Sequence, residues 1–524
     1  MKKIFKFIGI VFIISIFYST VCYADNPIVQ TNFTADPAPM VYNGKVYLYA
    51  GIDEDNAPDN SFLMRKWKCY SSEDMVNWKD EGVILPTSEI SWSTGDANAG
   101  QCIYRNGKFY FYFPTGCKTD TGVCIGVAVS DSPTGPFVDI GHPIILNSQM
   151  KAATHSWQGL DPTVFIDDDG QAYLYWGNNA CYWVKLNSDM VSYSGSINSI
   201  PLTKEAFGPD YEEAPWLYKR NGLWYMSYST CLPEYLAYTT SKSPTGPWTF
   251  GGVTMPIIPG NGGNHSGIID YKGNSYLFYF KNGLPGGGDH RRSICVEKFN
   301  YNADGTIPQI PATSTGAPQI SNLNPYVQTE AETICWESGI ETEKCSEGGM
   351  DVGNIENGDY IKVKGVDFGV GASSFDARVA SATSGGNIEL RLDSPTGKLV
   401  GTCAVKGTGG WQTWVDASCT VSGATGIHDL YLKFTGGSGF LFNVNWWKFK
   451  GNSTVLVGDL NGDKSVDATD YALMKMYLLG SINDFPVEND ITAGDLNADG
   501  VIDALDFATF KQYLLGIITE LPNK

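Results

Sequence analysis

VFIDDDGQAYLYW, residues 164–176, packs a short apolar run, an acidic turn closed by Gly170 and a strand of alternating aromatics into one stretch. Period-two apolar residues on both sides of an Asp-Gly step are the signature of a β-hairpin. The pattern recurs in MVYNGKVYLYA (40–50), CIYRNGKFYFYF (102–113), LYKRNGLWYMSY (217–228) and IIDYKGNSYLFYF (268–280). The turn glycines 44, 107, 170, 222 and 273 are separated by 63, 63, 52 and 51 residues, room for about four strands per repeat. Self-similarity at this spacing predicts a five-bladed β-propeller in which each hairpin supplies a blade's inner strands.

Just upstream of three hairpins stands a carboxylate followed closely by proline. Asp36 lies in TADPAP, Asp161 in GLDPTV and Glu213 in EEAPWL, 8, 9 and 9 residues before their turn glycines. The matching positions of the second and fifth repeats hold Asn98 and Asn264, the latter beside His265. A single Asp-Pro is ordinarily a strand-entry turn. Three carboxylates converging on one propeller axis repel one another and imply a functional reason for their retention. Paired carboxylates are the equipment of glycoside hydrolysis, one protonating the leaving oxygen and the other activating water.

Bulk properties narrow the partners. A formal charge of −20 with only 36 Lys plus Arg argues against nucleic acid or an anionic membrane. The length of 524 residues implies several domains, and 13% aromatic residues with 59 Gly suits turn-rich β structure. Lys2, Lys3 and Lys6, the apolar run from Phe7 to Tyr18 and Cys22-Tyr23-Ala24 read as a secretory signal over residues 1–24, so export is expected. Its removal takes one of 12 cysteines, and Cys403 with Cys419, or Cys335 with Cys345, could pair if strands bring them together.

The acidic motifs, in order and at blade spacing over about Asn26 to Pro311, resemble family 43 of the glycoside hydrolases. That family consists of five-bladed propellers that act with inversion on arabinose- and xylose-containing plant polysaccharides. The resemblance implies Asp36 as general base, Glu213 as general acid and Asp161 as the residue that tunes and orients the acid. Glu213 rather than the adjacent Glu212 matches the family pattern of Glu, a small residue, then Pro. His265 in GGNHSG resembles the family's axial histidine, near a bound calcium or water. Trp92, Trp157 and Trp176 are candidate sugar platforms, with core packing the alternative for Trp176. Arg291 or Arg292 in GGGDHRRS could reach the pocket, and Arg291 is taken as the candidate.

Residues 312–325 read as a linker, and 326–450 as a helix-free β-sandwich. NIENGDYIKVKGVDFG, GGWQTW and GGSGFLFNVNWWKF resemble family 6 of the carbohydrate-binding modules, jelly rolls that bind xylan or related glycans. The resemblance makes Trp411 and Asn443 sugar contacts, leaves Asn354 where an aromatic often stands, and makes Glu330 and Glu332 ligands of a structural calcium.

After a second linker at 451–455, residues 456–524 carry GDLNGDKSVDATD and, 36 residues on, GDLNADGVIDALD. A 12-residue calcium loop takes oxygens from positions 1, 3, 5, 7, 9 and 12. Those are Asp459, Asn461, Asp463, Ser465 (carbonyl), Asp467 and Asp470, then Asp495, Asn497, Asp499, Val501 (carbonyl), Asp503 and Asp506. An apolar helix is predicted after each loop. The repeat resembles a type I dockerin, which implies two bound calcium ions and docking onto a cohesin of a cellulosome scaffold.

The expected whole is mainly β: propeller, jelly-roll sandwich, then a small α-helical dockerin. The expected activity is that of a secreted, cellulosome-associated inverting α-L-arabinofuranosidase on arabinoxylan side chains. The alternatives are a β-xylosidase on the same site or a non-catalytic sugar-binding propeller.

Overall fold

The computed structural model describes residues 26–451, 456–487, 493–497 and 499–521. The expected signal segment and nearly all of the second linker lie outside the described residues.

Five antiparallel sheets succeed one another along residues 33–299. The first holds β1 (Phe33–Tyr42), β2 (Lys45–Asp53), β3 (Met64–Ser72) and β4 (Trp78–Pro86). The second holds β5 (Gln101–Arg105), β6 (Lys108–Gly116), β7 (Val123–Ser130) and β8 (Val138–Asp139). The third holds β9 (Thr163–Ile166), β10 (Ala172–Trp176), β11 (Cys181–Leu186) and β12 (Tyr193–Ile200). The fourth holds β13 (Glu213–Arg220), β14 (Leu223–Ser229), β15 (Leu236–Ser241) and β16 (Thr249–Met255). The fifth holds β17 (Gly267–Tyr271), β18 (Asn274–Lys281) and β19 (Ser293–Phe299).

The first strand of each sheet touches the first strand of the next, and β17 touches β1, so the inner strands close a ring. The ring is sealed by the chain's start: Ile28 N donates to Ile294 O and Thr34 N to Arg292 O, so residues 26–34 flank the three-stranded sheet. Each repeated hairpin is the inner pair of its sheet, as its sequence pattern demands. At Asn43-Gly44 both turn residues have positive φ, 46° and 75°, the geometry a two-residue hairpin turn requires.

Two further sheets form a sandwich. The strands of this stretch of chain are β20 (Thr329–Glu330), β21 (Thr333–Ile334), β22 (Trp336–Ser338), β23 (Glu341–Lys344), β24 (Met350–Gly353), β25 (Tyr360–Asp367), β26 (Ala372–Ser381), β27 (Gly385–Leu392), β28 (Lys398–Lys406), β29 (Gly410–Thr420), β30 (Ile427–Gly436) and β31 (Asn443–Gly451), all but β21 belonging to the sandwich. One sheet runs β23-β24-β31-β26-β29 and the other β22-β25-β30-β27-β28, over a core including Phe375, Phe434 and Trp447. Cys403 on β28 and Cys419 on β29 are both free thiols.

Sandwich and propeller are packed together. Strand β21 pairs with β4 and extends the first propeller sheet. Asn77 and Lys364 exchange hydrogen bonds of 3.0 and 2.8 Å, and Thr342 Oγ1 donates to Asp80 at 2.6 Å. Residues 312–325, expected as a linker, are stitched to both sides: Ile320 N donates to Asp74 O and Leu323 N to Gly365 O. Their low aliphatic content reflects backbone and amide bonding rather than a free tether.

Among the described residues of the C-terminal unit, helices Ala468–Leu478 and Ala504–Leu514 pack over Leu460, Met474, Leu496 and Phe510, with Tyr471 stacked on Phe507 at 4.3 Å. Asp467 and Asp503 cap the two helices, and Asp470 and Asp506 complete reciprocal capping boxes.

Candidate active site

Three of the five inner strands are entered through the same bend. Asp36, Asp161 and Ala214 each precede a proline and each has φ near +60° (55°, 59° and 58°). Register slips in the ladder at Ala35/Ala38 and at Glu213/Trp216 mark the bulges that accompany this bend. A pre-proline residue is barred from the ordinary helical region, and a left-handed non-glycine residue is held only where its surroundings over-determine it. The alignment drawn from sequence is thereby corrected by one residue: Ala214, not Glu213, is equivalent to Asp36 and Asp161. Glu213 still reaches the same cavity because the bulge redirects the strand.

That cavity, about 320 Å³, lies at the end of the ring and is lined by Asp36, Asp161 and Glu213, with Asn98, Asn264 and His265 from the other two sheets. Asp36 Oδ1 accepts from Arg292 Nη1 at 2.8 Å. Arg292 also donates through Nε and Nη2 to the two carboxylate oxygens of Asp53, both at 2.9 Å. Asp161 Oδ2 accepts from Ala214 N at 3.0 Å and so fixes the backbone directly after Glu213. Glu213 Oε2 accepts from Asn178 Nδ2 at 2.6 Å.

Burial lifts the Glu213 carboxyl from the usual carboxylate range to about 7, against the lowering effect of the Asn178 hydrogen bond and with the help of nearby Glu212 and Asp36. Asp161 is pushed well above its usual range by burial and by the charges of Glu213 and Asp36. Burial lowers His265 to about 4, partly countered by Asp36, so the imidazole is neutral at pH 7. Its Nδ1 stands 3.8 Å from Asp36 Oδ1. The carboxylate nearest His265 is already paired with the Arg292 guanidinium, which supplies the positive charge a cation would bring.

Several expected sugar contacts lie elsewhere. Trp176 is fully buried on β10 against Tyr182, and Trp92 is buried against Phe113 with its Nε1 donating to Asp139. Both are core residues: Trp176 because alternation within the sheet turns its ring into the core, Trp92 because the turn before β5 folds it onto β6. Trp157 is 54% exposed beside His155 and does not line the cavity. Arg291 is a rim clamp that donates to Ala57 O, Asp59 and Gly286 O, while its neighbour Arg292 enters the site. The sequence offered no means of choosing between two adjacent arginines whose side chains point opposite ways.

Sequence reading also missed Asn178, Asp53, Phe62 and Glu234, all of them on loops or strand ends. Glu234 is 5% exposed, lines the cavity, and is lifted to about 10 by burial and by Glu213. A carboxyl of this kind is neutral at pH 7 and can donate a hydrogen bond.

In the sandwich, Trp411 is half-buried and meets the exposed Phe440 edge-on at 6.4 Å. Asn354 is exposed with φ 53°. Asn443 is buried and donates to Glu343 and Asp351. Glu332 is 2% exposed and its Oε2 has no hydrogen-bond partner, while Glu330 Oε1 accepts from Gln328. An orphaned buried carboxylate oxygen fits a cation ligand.

In the C-terminal unit Asp459 accepts from Gly462 N and Lys464 N, and Asp470 from Leu460 N, Asn461 N and Asp467 N. In the second loop Asp495 accepts from Asp499 N and Gly500 N, and Asp506 from Leu496 N, Asn497 N and Asp503 N. These oxygen-only donor sets, wound on their own backbone amides, suit a hard cation. Among the described residues no three His, Cys, Asp or Glu side chains are gathered as a metal cluster.

Comparison with known proteins follows the same three parts. Residues 24–307 match Glycosyl hydrolases family 43, 330–451 match Carbohydrate binding module (family 6) and 457–515 match Dockerin type I domain. The chain is 38% identical over 495 residues to an arabinoxylan arabinofuranohydrolase of Bacillus subtilis (strain 168), covering 81% of this chain and 92% of that protein. It is 32% identical over 332 residues to xylosidase/arabinosidase 43A of Humicola insolens, covering 54% of this chain and 98% of that protein. A crystal structure of a family 43 arabinoxylan arabinofuranohydrolase from Bacillus subtilis, in complex with cellotetraose, superposes with a TM-score of 0.73 at 36% identity over 82% of this chain and 97% of that one. With a matching propeller-type module, a sugar-binding sandwich and a dockerin on one chain, the protein belongs to glycoside hydrolase family 43.

Proposed function

We propose that the protein is an inverting α-L-arabinofuranosidase that removes arabinose side chains from arabinoxylan. The observation that carries this reading is a single cavity in which Glu213, an acid protonated up to about pH 7, shares space with Asp36, a carboxylate ion-paired to Arg292. Asp36 takes the proton of a water as that water attacks the anomeric carbon. Glu213 gives its proton to the departing oxygen, and the sugar leaves with inverted configuration. Asp161 acts through the Ala214 amide to hold Glu213 on the leaving-group side. Arabinose on a xylan main chain is favoured by the name of the Bacillus subtilis relative and by the sugar-binding sandwich. A β-xylosidase on the same residues is the second reading, favoured by the name of the Humicola insolens relative.

The dockerin is proposed to bind two calcium ions through the loop oxygens from Asp459 to Asp470 and from Asp495 to Asp506, and Glu330 with Glu332 to hold a third. Bound calcium supplies the charge that holds acidic loops closed. A folded dockerin docks on a cohesin, which places the enzyme outside the cell on a scaffold.

The test is product analysis on wheat arabinoxylan with early-time proton NMR. Free arabinose appearing first as the β-anomer supports the proposal. Free xylose moves it to β-xylosidase, and no sugar from any arabinose- or xylose-containing polymer leaves a binding-only propeller.

A further inference from the structure

Two loops separate the carboxylate cavity from a second hollow of about 460 Å³ at the junction of propeller and sandwich. The loop between β2 and β3 puts Phe62 into the carboxylate cavity and Asp55 into the junction groove. The loop between β18 and β19 puts His290 into the first and Leu284 and Pro285 into the second. Arg291 clamps the two loops together through Ala57 O, Asp59 and Gly286 O, and the Phe62 and His290 rings meet at 4.4 Å. The dividing wall is therefore a braced structure with one hollow on each face.

The groove's other side is the sandwich. Half-buried Trp336 on β22 faces it, with Glu337 and Glu341 beside it, and half-buried Phe33 closes the propeller side three residues before Asp36. An aromatic ring on each side offers faces to the CH surfaces of sugar rings, and the carboxylates offer acceptors to their hydroxyls. Burial, with Asp55 and Glu337 near, lifts Glu341 to about 7. A concentration of Asp55, Glu337 and Glu341 disfavours anionic sugars. The groove also shares its wall with the site where a side branch would be cut.

We propose that this groove is a second sugar-binding site, which holds the uncharged main chain of a polysaccharide while its side branch enters the carboxylate cavity. The occupant's identity as a pentose main chain rests on the proposed function; the groove's affinity for neutral glycan does not require turnover. The sandwich thus contributes a wall to the substrate site as well as its own cleft at Trp411.

The test is calorimetric titration of xylohexaose into the full chain carrying Glu213→Ala, which prevents hydrolysis, and Trp411→Ala, which weakens the sandwich cleft. Adding Trp336→Ala should weaken the remaining binding about five- to tenfold, as loss of one stacked ring does. Unchanged affinity overturns the proposal. Should Trp336→Ala lower the melting temperature, exposed Asp55→Lys serves instead: it should raise affinity for a glucuronic-acid-substituted xylo-oligosaccharide relative to xylohexaose, and an unchanged ratio overturns the proposal. If the native chain releases no arabinose from any polymer yet Trp336→Ala still weakens xylohexaose binding, the function reading fails and the groove stands.

Discussion

Arg292 Nη1 lies 2.8 Å from Asp36 Oδ1, and the same guanidinium holds Asp53, whose side chain is wholly buried. A planar fork is needed to serve two carboxylates at once, and a lysine ammonium cannot reproduce it. Arg292→Ala should cost about 3–5 kcal/mol of stability, because it strands a buried charge. Arg292→Lys should fold with a smaller loss yet lower kcat at least tenfold by leaving Asp36 misplaced. Thermal melting and turnover of an aryl arabinoside check both, and near-native turnover in Arg292→Lys would rule out a positioning role.

The two proposed catalytic carboxyls should separate by leaving group. Glu213→Ala removes the proton donor, so arabinoxylan hydrolysis should fall by about 10²–10⁴. Hydrolysis of a nitrophenyl arabinoside, whose leaving group needs little protonation, should fall far less. Asp36→Asn should lower both to a similar extent, since water must be activated in either case. Equal losses on the two substrates in Glu213→Ala would remove it from the acid's role.

Glu213 works protonated and sits at about 7, so activity should decline as pH rises through that value. Burial is what lifts it, and the 2.6 Å hydrogen bond from Asn178 opposes that lift by favouring the charged form. Asn178→Ala should therefore move the alkaline limb of kcat/KM upward, by about one pH unit for a hydrogen bond to a charged group. The pH profile of the variant is the measurement, and a limb that moves down or stays would show that another group titrates.

Period-two hairpins at regular spacing carried the propeller, because a closed ring of antiparallel sheets needs little beyond alternation and tight turns. The carboxylates were legible for a similar reason: they recur at one place in each repeat. Residues that act through tertiary contact left no such trace. Arg292 and Asp53 are far apart in sequence, and Glu234 sits in a loop that only the neighbouring sheet brings to the cavity. Trp176 is illegible because an aromatic on a strand reads alike whether it faces a ligand or the core, and Trp92 because its turn is folded onto the core only by tertiary contact. The stretch 312–325 has the composition of a linker, because its backbone and amide contacts leave no mark on composition.

Lys464 occupies the sixth position of its loop with φ 66°, where the second loop has Gly500 at 89°. A left-handed lysine carries a steric penalty of about 1–2 kcal/mol that glycine avoids, while glycine costs up to about 1 kcal/mol more entropy on folding. Lys464→Gly should therefore stabilise the C-terminal unit by up to about 1 kcal/mol. It should also sharpen the first loop's preference for calcium, since the backbone no longer resists the turn that aims Asp459 at its neighbours. Asp470→Ala should act oppositely: it removes the acceptor of three backbone amides at once and a ligand from the proposed set. Melting of the full chain with calcium and with excess EDTA measures both effects. The calcium-dependent transition should rise in Lys464→Gly and fall in Asp470→Ala, and a transition indifferent to EDTA in the unsubstituted chain would refute calcium as the ion that closes these loops.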